Sequence, residues 1–355
     1  METGERQLGF WRDGRWVLVL VAAGVVLPGL WWAQRMRHSG LPRLGDGKNP
    51  ATYGFPLENA SVDLTTLVGA GFPRDGIPAL DQPGSVSPAE VTSLGRRFLL
   101  PGDPVIGISV AGETKAYPLR LLAFHEVIND TVGGQPLLVV HQPLCGFSAV
   151  FSRASAMEAA TFAVSGLVWN SCGLIYRKDR PEEGLYLPLL GKAITGPAAK
   201  RGEKFEPVLF TLTSWSRWLS AHPETTLVRP DMEHLPQYKR DPYSSYLGSD
   251  LLRFPVSPLL PAAAPLGLKS QLLVLWPFQD PVVLPMETFG QRGIARLRLR
   301  GVSLQLTTLA PHALAELVTL EGENPPMIYA FAFAWFAANP REQPTNWGNL
   351  VLVSP

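Results

Sequence analysis

The sequence predicts a β-rich α+β fold of strands, hairpins and a few short helices, preceded by one N-terminal membrane-spanning helix. Three observations carry that expectation. The 34 prolines and 33 glycines of the 355 residues are spread along the chain, as many short strands joined by turns require. Gln135–Gln142, weakly alternating and rich in Leu and Val, and the segments from Gln271 onward read as strands. Finally, Trp16–Trp32, WVLVLVAAGVVLPGLWW, is 17 residues without a charge. That is the short limit of the roughly 17–25 residues a spanning helix needs.

Trp11, Trp16, Trp31 and Trp32 bracket this segment as interfacial aromatics do. A cleaved signal peptide would carry an apolar core of roughly 7–15 residues and a small-x-small site, and Ala33-Gln-Arg-Met-Arg37 offers none. An uncleaved anchor is therefore preferred, with a cleaved signal peptide as the rival reading and a buried soluble helix below both. Arg6, Arg12 and Arg15 precede it and Arg35 and Arg37 follow, so charge barely orients it. The short N-terminal tail favours N-in, with the bulk of the chain outside the cytoplasmic (inner) membrane. The expected organisation is a tail and anchor over residues 1–39, a linker hugging the domain over 40–70, and a β-rich extracytoplasmic domain over 71–355. That domain divides into candidate halves 71–230 and 231–355. Membrane lipid is the expected partner of residues 16–32, and a membrane-protein complex the expected partner of the rest.

Within the domain, Ser87–Leu99 reads as a helix, with Ser87 and Glu90 as a capping box and Pro88 at its first position. Val105–Val110 and Thr114–Leu119 read as a hairpin around Ala111-Gly112-Glu113. Gly133-Gly134 marks a turn into Gln135–Gln142, a central strand. A second helix is expected at Leu212–Ala221, with Trp215 and Trp218 on one face. Strands return at Leu272–Trp276, Val282–Met286, Ala295–Thr307 and Met327–Ala334. Arg296, Arg298 and Arg300 alternate there with Leu297, Leu299 and Val302 as an amphipathic ribbon. The run Met327–Ala338 reads as core strand before interface. Two echoes, Trp218–Pro223 with Trp335–Pro340 and Ala116–Leu119 with Val283–Met286, are either a shortened internal duplication or chance.

Several functions are excluded. The net charge is +1, without the clustered basic face of a nucleic-acid partner. Gly191-Lys192 lacks the upstream glycines of a phosphate loop, Ala193 stands where its hydroxyl residue belongs, and no dinucleotide fingerprint or Gly-x-Ser-x-Gly elbow is present. No nucleotide partner is expected.

Chemistry-bearing side chains concentrate in Ala116–Arg153, which holds His125, Glu126, Asn129, Asp130, His141, Gln142 and Cys145. His125-Glu126-Val127-Ile128-Asn129 lacks the second histidine of a zinc-protease helix. The chain has two cysteines, Cys145 and Cys172, with three readings. A disulfide would stabilise by about 3 kcal/mol in the chain-entropy model. A copper or zinc site would use His125, His141 and Cys145, with Met157 or Cys172 as an outer ligand. The third reading is two buried thiols packing as small hydrophobes. Because His141 precedes Gln142-Pro143 in extended backbone, its side chain is expected to face away from its neighbours'.

Over Phe72–Pro230 the chain resembles domain-of-unknown-function family 3179. The resemblance is carried by Arg74–Leu80, Val105-Ile-Gly107, Lys115–Leu119, the His125-Glu126…Asn129-Asp130 box, Pro143-Leu-Cys145-Gly146, Gly166–Ser171, Tyr176, Trp218 and His222–Thr225. The family is uncharacterised in its reaction. The chain departs from it at His141-Gln142, where members have Tyr-Cys, at Cys172, where they have Asp or Asn, and at Tyr186–Pro188, where they have Trp-x-Gln. If the family uses its paired cysteines for metal or thiol chemistry, this chain has lost a ligand at Gln142.

Two functions follow as expectations. The preferred one is a membrane-anchored, extracytoplasmic, non-catalytic binding or structural subunit of a cell-envelope complex, without a cofactor. The alternative is a copper-, zinc- or thiol-dependent redox protein using His125, His141 and Cys145, with Glu126 or Asp130 as proton acceptor.

Overall fold

The computed structural model describes residues 44–93, 98–154, 159–262, 264–275, 277–278, 280–289, 294–309, 314–319, 324–342 and 352–353. The expected anchor at Trp16–Trp32 and the expected outer ligand Met157 lie outside them. Among the described residues no helix is long and apolar enough to cross a membrane.

The organising element is a large sheet whose strands run in the order Val282–Pro285, Gln271–Leu275, Met327–Phe331, Phe147–Ser152, Gln135–Gln142, Val127–Val132 and Leu80–Asp81. It is antiparallel except for the parallel pairing of Leu80–Asp81 with Val127–Val132. Its strands are apolar on both faces because both faces are covered. In Gln135–Gln142, Leu138 and Val140 enter one core and Leu137 and Val139 the other. The first core is shared with a five-stranded sheet of Leu67–Gly69, Phe162–Trp169, Cys172–Arg177, Leu185–Leu187 and Lys192–Ala193. The second is shared with Thr211–Ser214, Pro104–Val110, Glu113–Pro118, Thr226–Val228 and Ser85–Val86, and with a smaller sheet built on Ile294–Leu299 and Val302–Leu309.

The protein is β-rich with a few short helices, as expected, and several boundaries moved for physical reasons. The capping box at Ser87 and Glu90 is present, with Ser87 N–H donating to Glu90 Oε2 at 2.7 Å and Glu90 N–H to Ser87 Oγ at 3.3 Å. The described helix is Pro88–Ser93. Leu212 and Thr213 are strand, not helix, because they pair with Ile106 and Val105, and the helix starts at Trp215. Ala295–Thr307 is a hairpin turning at Arg300 and Gly301, whose φ angles of 51° and 81° suit a two-residue turn. Met327–Ala338 is wholly buried except Ala338, but is strand only to Phe331 and helix over Ala332–Ala338.

Two parts of the chain have the same order of elements. Pro104–Val110 pairs antiparallel with Glu113–Pro118 on one side and Thr211–Ser214 on the other, and helix Trp215–Ala221 follows. Gln271–Leu275 pairs in the same way with Val282–Pro285 and Met327–Phe331, and helix Ala332–Ala338 follows. Pro118 lies opposite Val105 as Pro285 lies opposite Leu272. Trp218 and Trp335 occupy the fourth position of their helices. Each donates its indole N–H to a residue seven positions on, Thr225 at 2.9 Å and Glu342 at 2.8 Å. The sequence echoes therefore fall on matching places in the fold.

Candidate functional site

The His125–Asp130 box is split by a change of element. His125 ends helix Leu119–His125, and Glu126 turns the chain with a φ of 56° before strand Val127–Val132 begins. A positive φ at a non-glycine residue is strained by about 1–3 kcal/mol and persists only where its surroundings fix it. Here Glu126 N–H donates to Leu122 O at 2.6 Å and its carbonyl accepts His141 N–H at 3.0 Å. The turn sends the two side chains to different places. His125 Nδ1 meets Pro78 O at 2.7 Å and its Nε2 meets the Tyr238 hydroxyl at 2.8 Å. Glu126 enters a cavity of about 40 Å3 lined by Gln142, Gly173, Tyr243 and Arg253, with apolar walls that include Phe72 and Phe254.

Alternation along the next strand separates the rest of the box. Asn129 Nδ2 donates to Asp81 Oδ1 at 2.7 Å and Phe162 O at 2.8 Å, and its Oδ1 accepts Phe162 N–H at 2.9 Å. It fastens one sheet to the next. Asp130, on the opposite face, is ion-paired with Lys115 at 2.7 Å, and both side chains are only 4% exposed. Its Oδ2 also accepts the Tyr117 hydroxyl at 2.8 Å.

A segment that carried no motif supplies the partners of this signature. Residues 231–258 cross it as a strap. The Tyr238 hydroxyl reaches His125, the Tyr243 hydroxyl donates to Glu126 Oε1 at 3.4 Å, and the Tyr246 hydroxyl donates to Leu144 O at 2.7 Å. Further on, Ser171 Oγ donates to Phe254 O at 3.1 Å, and Asn170 bonds both Ser257 N and Ser257 O. Lys269 Nζ pins the strap by donating to Tyr246 O, Ser249 O and Leu251 O at 2.6, 2.6 and 2.9 Å, and it lies 3.4 Å from the Tyr246 ring centroid. Lys269→Met is expected to raise the rate of limited proteolysis within residues 246–258 at least about tenfold, since each bond from a charged donor is worth on the order of 1.5–3 kcal/mol.

His141 and Gln142 face opposite sides, as their extended backbone implied. Gln142 Nε2 donates to Gly173 O at 2.8 Å, and its Oε1 lies 3.6 Å from Cys145 Sγ. Cys145 and Cys172 are neighbouring, fully buried free thiols. Burial pushes the Cys172 thiol well above its ordinary value, helped by Cys145. On the other side His141 lines a cleft of about 780 Å3, with Arg120, Ser148, Tyr238, Gln271 and Glu287 among its walls. His141 Nδ1 lies 3.1 Å from Phe147 O and 2.9 Å from Ser148 Oγ. Because a carbonyl only accepts, Nδ1 carries the proton and Nε2 keeps its lone pair. Burial lowers the imidazole to about 4, so it is neutral at physiological pH. His125, His141 and Cys145 are thus held in separate surroundings, and among the described residues no three of His, Cys, Asp or Glu are grouped to hold a metal ion.

Fold and site together define a β-rich scaffold with a strapped, buried polar signature beside an open cleft. A family model described as "Protein of unknown function (DUF3179)" matches residues 74–316, more than half of the chain, and the chain belongs to that family. The match runs beyond Pro230, where the residue-by-residue resemblance faded, and takes in the second hairpin unit. No curated protein and no solved structure matches the chain.

Proposed function

We propose that this protein is a membrane-anchored, extracytoplasmic, non-catalytic binding subunit of a cell-envelope complex, which takes its ligand in the cleft beside His141. The observation that carries the reading is the cleft's position on the seam between the two matching hairpin units. Asp103, Pro104, Leu119 and Arg120 line it from one unit, and their positional counterparts Ser270, Gln271, Met286 and Glu287 line it from the other. Even the local pairs correspond, Asp103 with Arg120 at 2.7 Å and Ser270 with Glu287 at 3.1 Å. We read the repeated order as a shortened internal duplication, and seams between units are where ligand pockets of 300–1,000 Å3 recur. Its ligand offers a hydrogen-bond donor to His141 Nε2. The lipid partner is the Trp16–Trp32 segment's bilayer, on the strength of its uncharged run.

A benzophenone side chain in place of Lys239 or Ser270, at the cleft, is expected to capture one membrane protein in cells, and the same group at Lys200, which does not line it, none. Equal capture at all three positions, or none, would sink the proposal. The thiol redox alternative is favoured by one feature, that the buried thiols of Cys145 and Cys172 are neighbours. A copper or zinc site at His125, His141 and Cys145 draws no support from the geometry. Stoichiometric metal in the purified full-length chain, lost in Cys145→Ser, would reverse that order.

A further inference from the structure

We propose that the loop over residues 250–262 is a second membrane contact, lying in the headgroup region of the bilayer; it rests on the anchored reading of Trp16–Trp32 and adds to it a named surface of the domain. Among the described residues Leu251 is the most exposed large apolar side chain, at 78%, and Leu259 of the same loop is 51% exposed. Between them the loop is seated, not loose. Leu252 and Val256 pack against the first core, and Leu260 belongs to it.

The backbone of this loop is arranged for surroundings poor in water. Leu251 O accepts Lys269 Nζ at 2.9 Å, and Phe254 O accepts Ser171 Oγ at 3.1 Å. Ser257 donates its N–H to Asn170 Oδ1 at 2.9 Å, and its carbonyl accepts Asn170 Nδ2 at 3.1 Å. Pro255, Pro258 and Pro261 have no N–H to satisfy. Backbone polar groups bonded inward and apolar side chains turned outward suit an apolar boundary, where an unpaired backbone group is costly.

The place where the chain enters the domain selects lipid over a protein as the occupant. Leu44 O accepts Arg74 N–H at 2.8 Å, and Gly47 O accepts Gly71 N–H at 3.0 Å. Phe72, between those two acceptors' partners, lines the small cavity together with Arg253 and Phe254 of the loop. The entering segment and the loop therefore share one side of the domain. Eleven residues, 33–43, join Trp32 to Leu44, and at full stretch they span about 40 Å. A tether of that reach holds the Leu44 side, and the loop with it, toward the bilayer. Arg253, exposed on the loop, suits lipid phosphate, while Asp250 is turned to the cleft wall. Leu247, four residues before Leu251, also lines the cleft, so the cleft opens close to the membrane surface.

The test uses the full-length chain in vesicles of phosphatidylethanolamine and phosphatidylglycerol, with bimane attached at Leu251→Cys, Leu259→Cys or Ile294→Cys. Cys145 and Cys172 are fully buried, so the reagent takes the introduced thiol. Ile294 is the control, 58% exposed on a strand whose Leu297 enters the second core, across the large sheet from the first. A doxyl group near the headgroup end of the lipid acyl chain is expected to quench positions 251 and 259 about twofold or more, and position 294 not at all, at the depth of about 5–10 Å that interfacial segments reach. A chain that floats with the vesicles without quenching at 251 and 259 overturns the loop contact and leaves the anchor standing. A chain that does not float overturns the anchor, and the loop contact with it. Equal quenching at all three positions also overturns the proposal. Labelling of Leu251→Cys that is blocked in native membranes yet unquenched in lipid vesicles assigns the loop to a protein partner instead.

Discussion

Replacing Lys115 with Met is expected to lower the unfolding free energy by about 3–5 kcal/mol, the usual cost of removing one partner of a buried ion pair. Lys115 and Asp130 are each 4% exposed and 2.7 Å apart. The Lys115 ammonium is the salt-bridge partner of Asp130, which lies on the strand between Ile128 and Val132, both in the second core. Tyr117, at 2.8 Å, donates one hydrogen bond but no charge. Denaturant unfolding followed by tryptophan fluorescence measures the loss. Asp130→Asn beside Lys115→Met should recover much of it, because no lone buried charge then remains. A loss below about 1 kcal/mol for Lys115→Met would mean that Asp130 is solvated, or takes up a proton, once its cation is gone.

Contacts a few residues apart are written in the sequence of this chain, and contacts between distant strands are not. The capping box at Ser87, the Gly133-Gly134 turn and the two-sided apolar strand Gln135–Gln142 were legible because each rests on contacts a few residues apart. The strand-to-helix switches at Trp215 and Ala332 were not, because the residues before them are held by distant pairs, Leu212 with Ile106 and Ala330 with Leu272. In the signature, residue types were visible but directions were not. A one-residue turn at Glu126 sends His125 and Glu126 apart, and strand alternation sends His141 to the cleft and Gln142 to the small cavity. The strap was missed altogether. Its helical turns Met232–His234, Gln237–Lys239 and Ser244–Leu247 are too short to show a period, and Tyr238, Tyr243 and Tyr246 meet partners more than 100 residues away. Their uneven spacing was the one signal present: three tyrosines in a polar, proline-bearing segment are more than a solvated loop needs.

Trp335→Ala and Trp218→Ala are each expected to cost about 3–5 kcal/mol, as large-to-small changes of a buried aromatic do. Both rings are almost fully buried, and both indole N–H groups are spent on a partner seven residues on. If the two hairpin units were autonomous, each substitution would melt its own unit and leave the other intact. The cores argue otherwise. Ile106 and Leu212 of the first unit share a core with Leu273 and Tyr329 of the second. Trp335 packs in the other core, whose members Val140 and Phe151 sit on the same large sheet. Unfolding should therefore remain a single transition in either variant, with losses that add to within about 0.5 kcal/mol in the double variant because the rings lie in separate cores. Two resolved transitions would show the units to be independent domains. They would also remove the rigid seam on which the cleft, and the binding role proposed for it, depends.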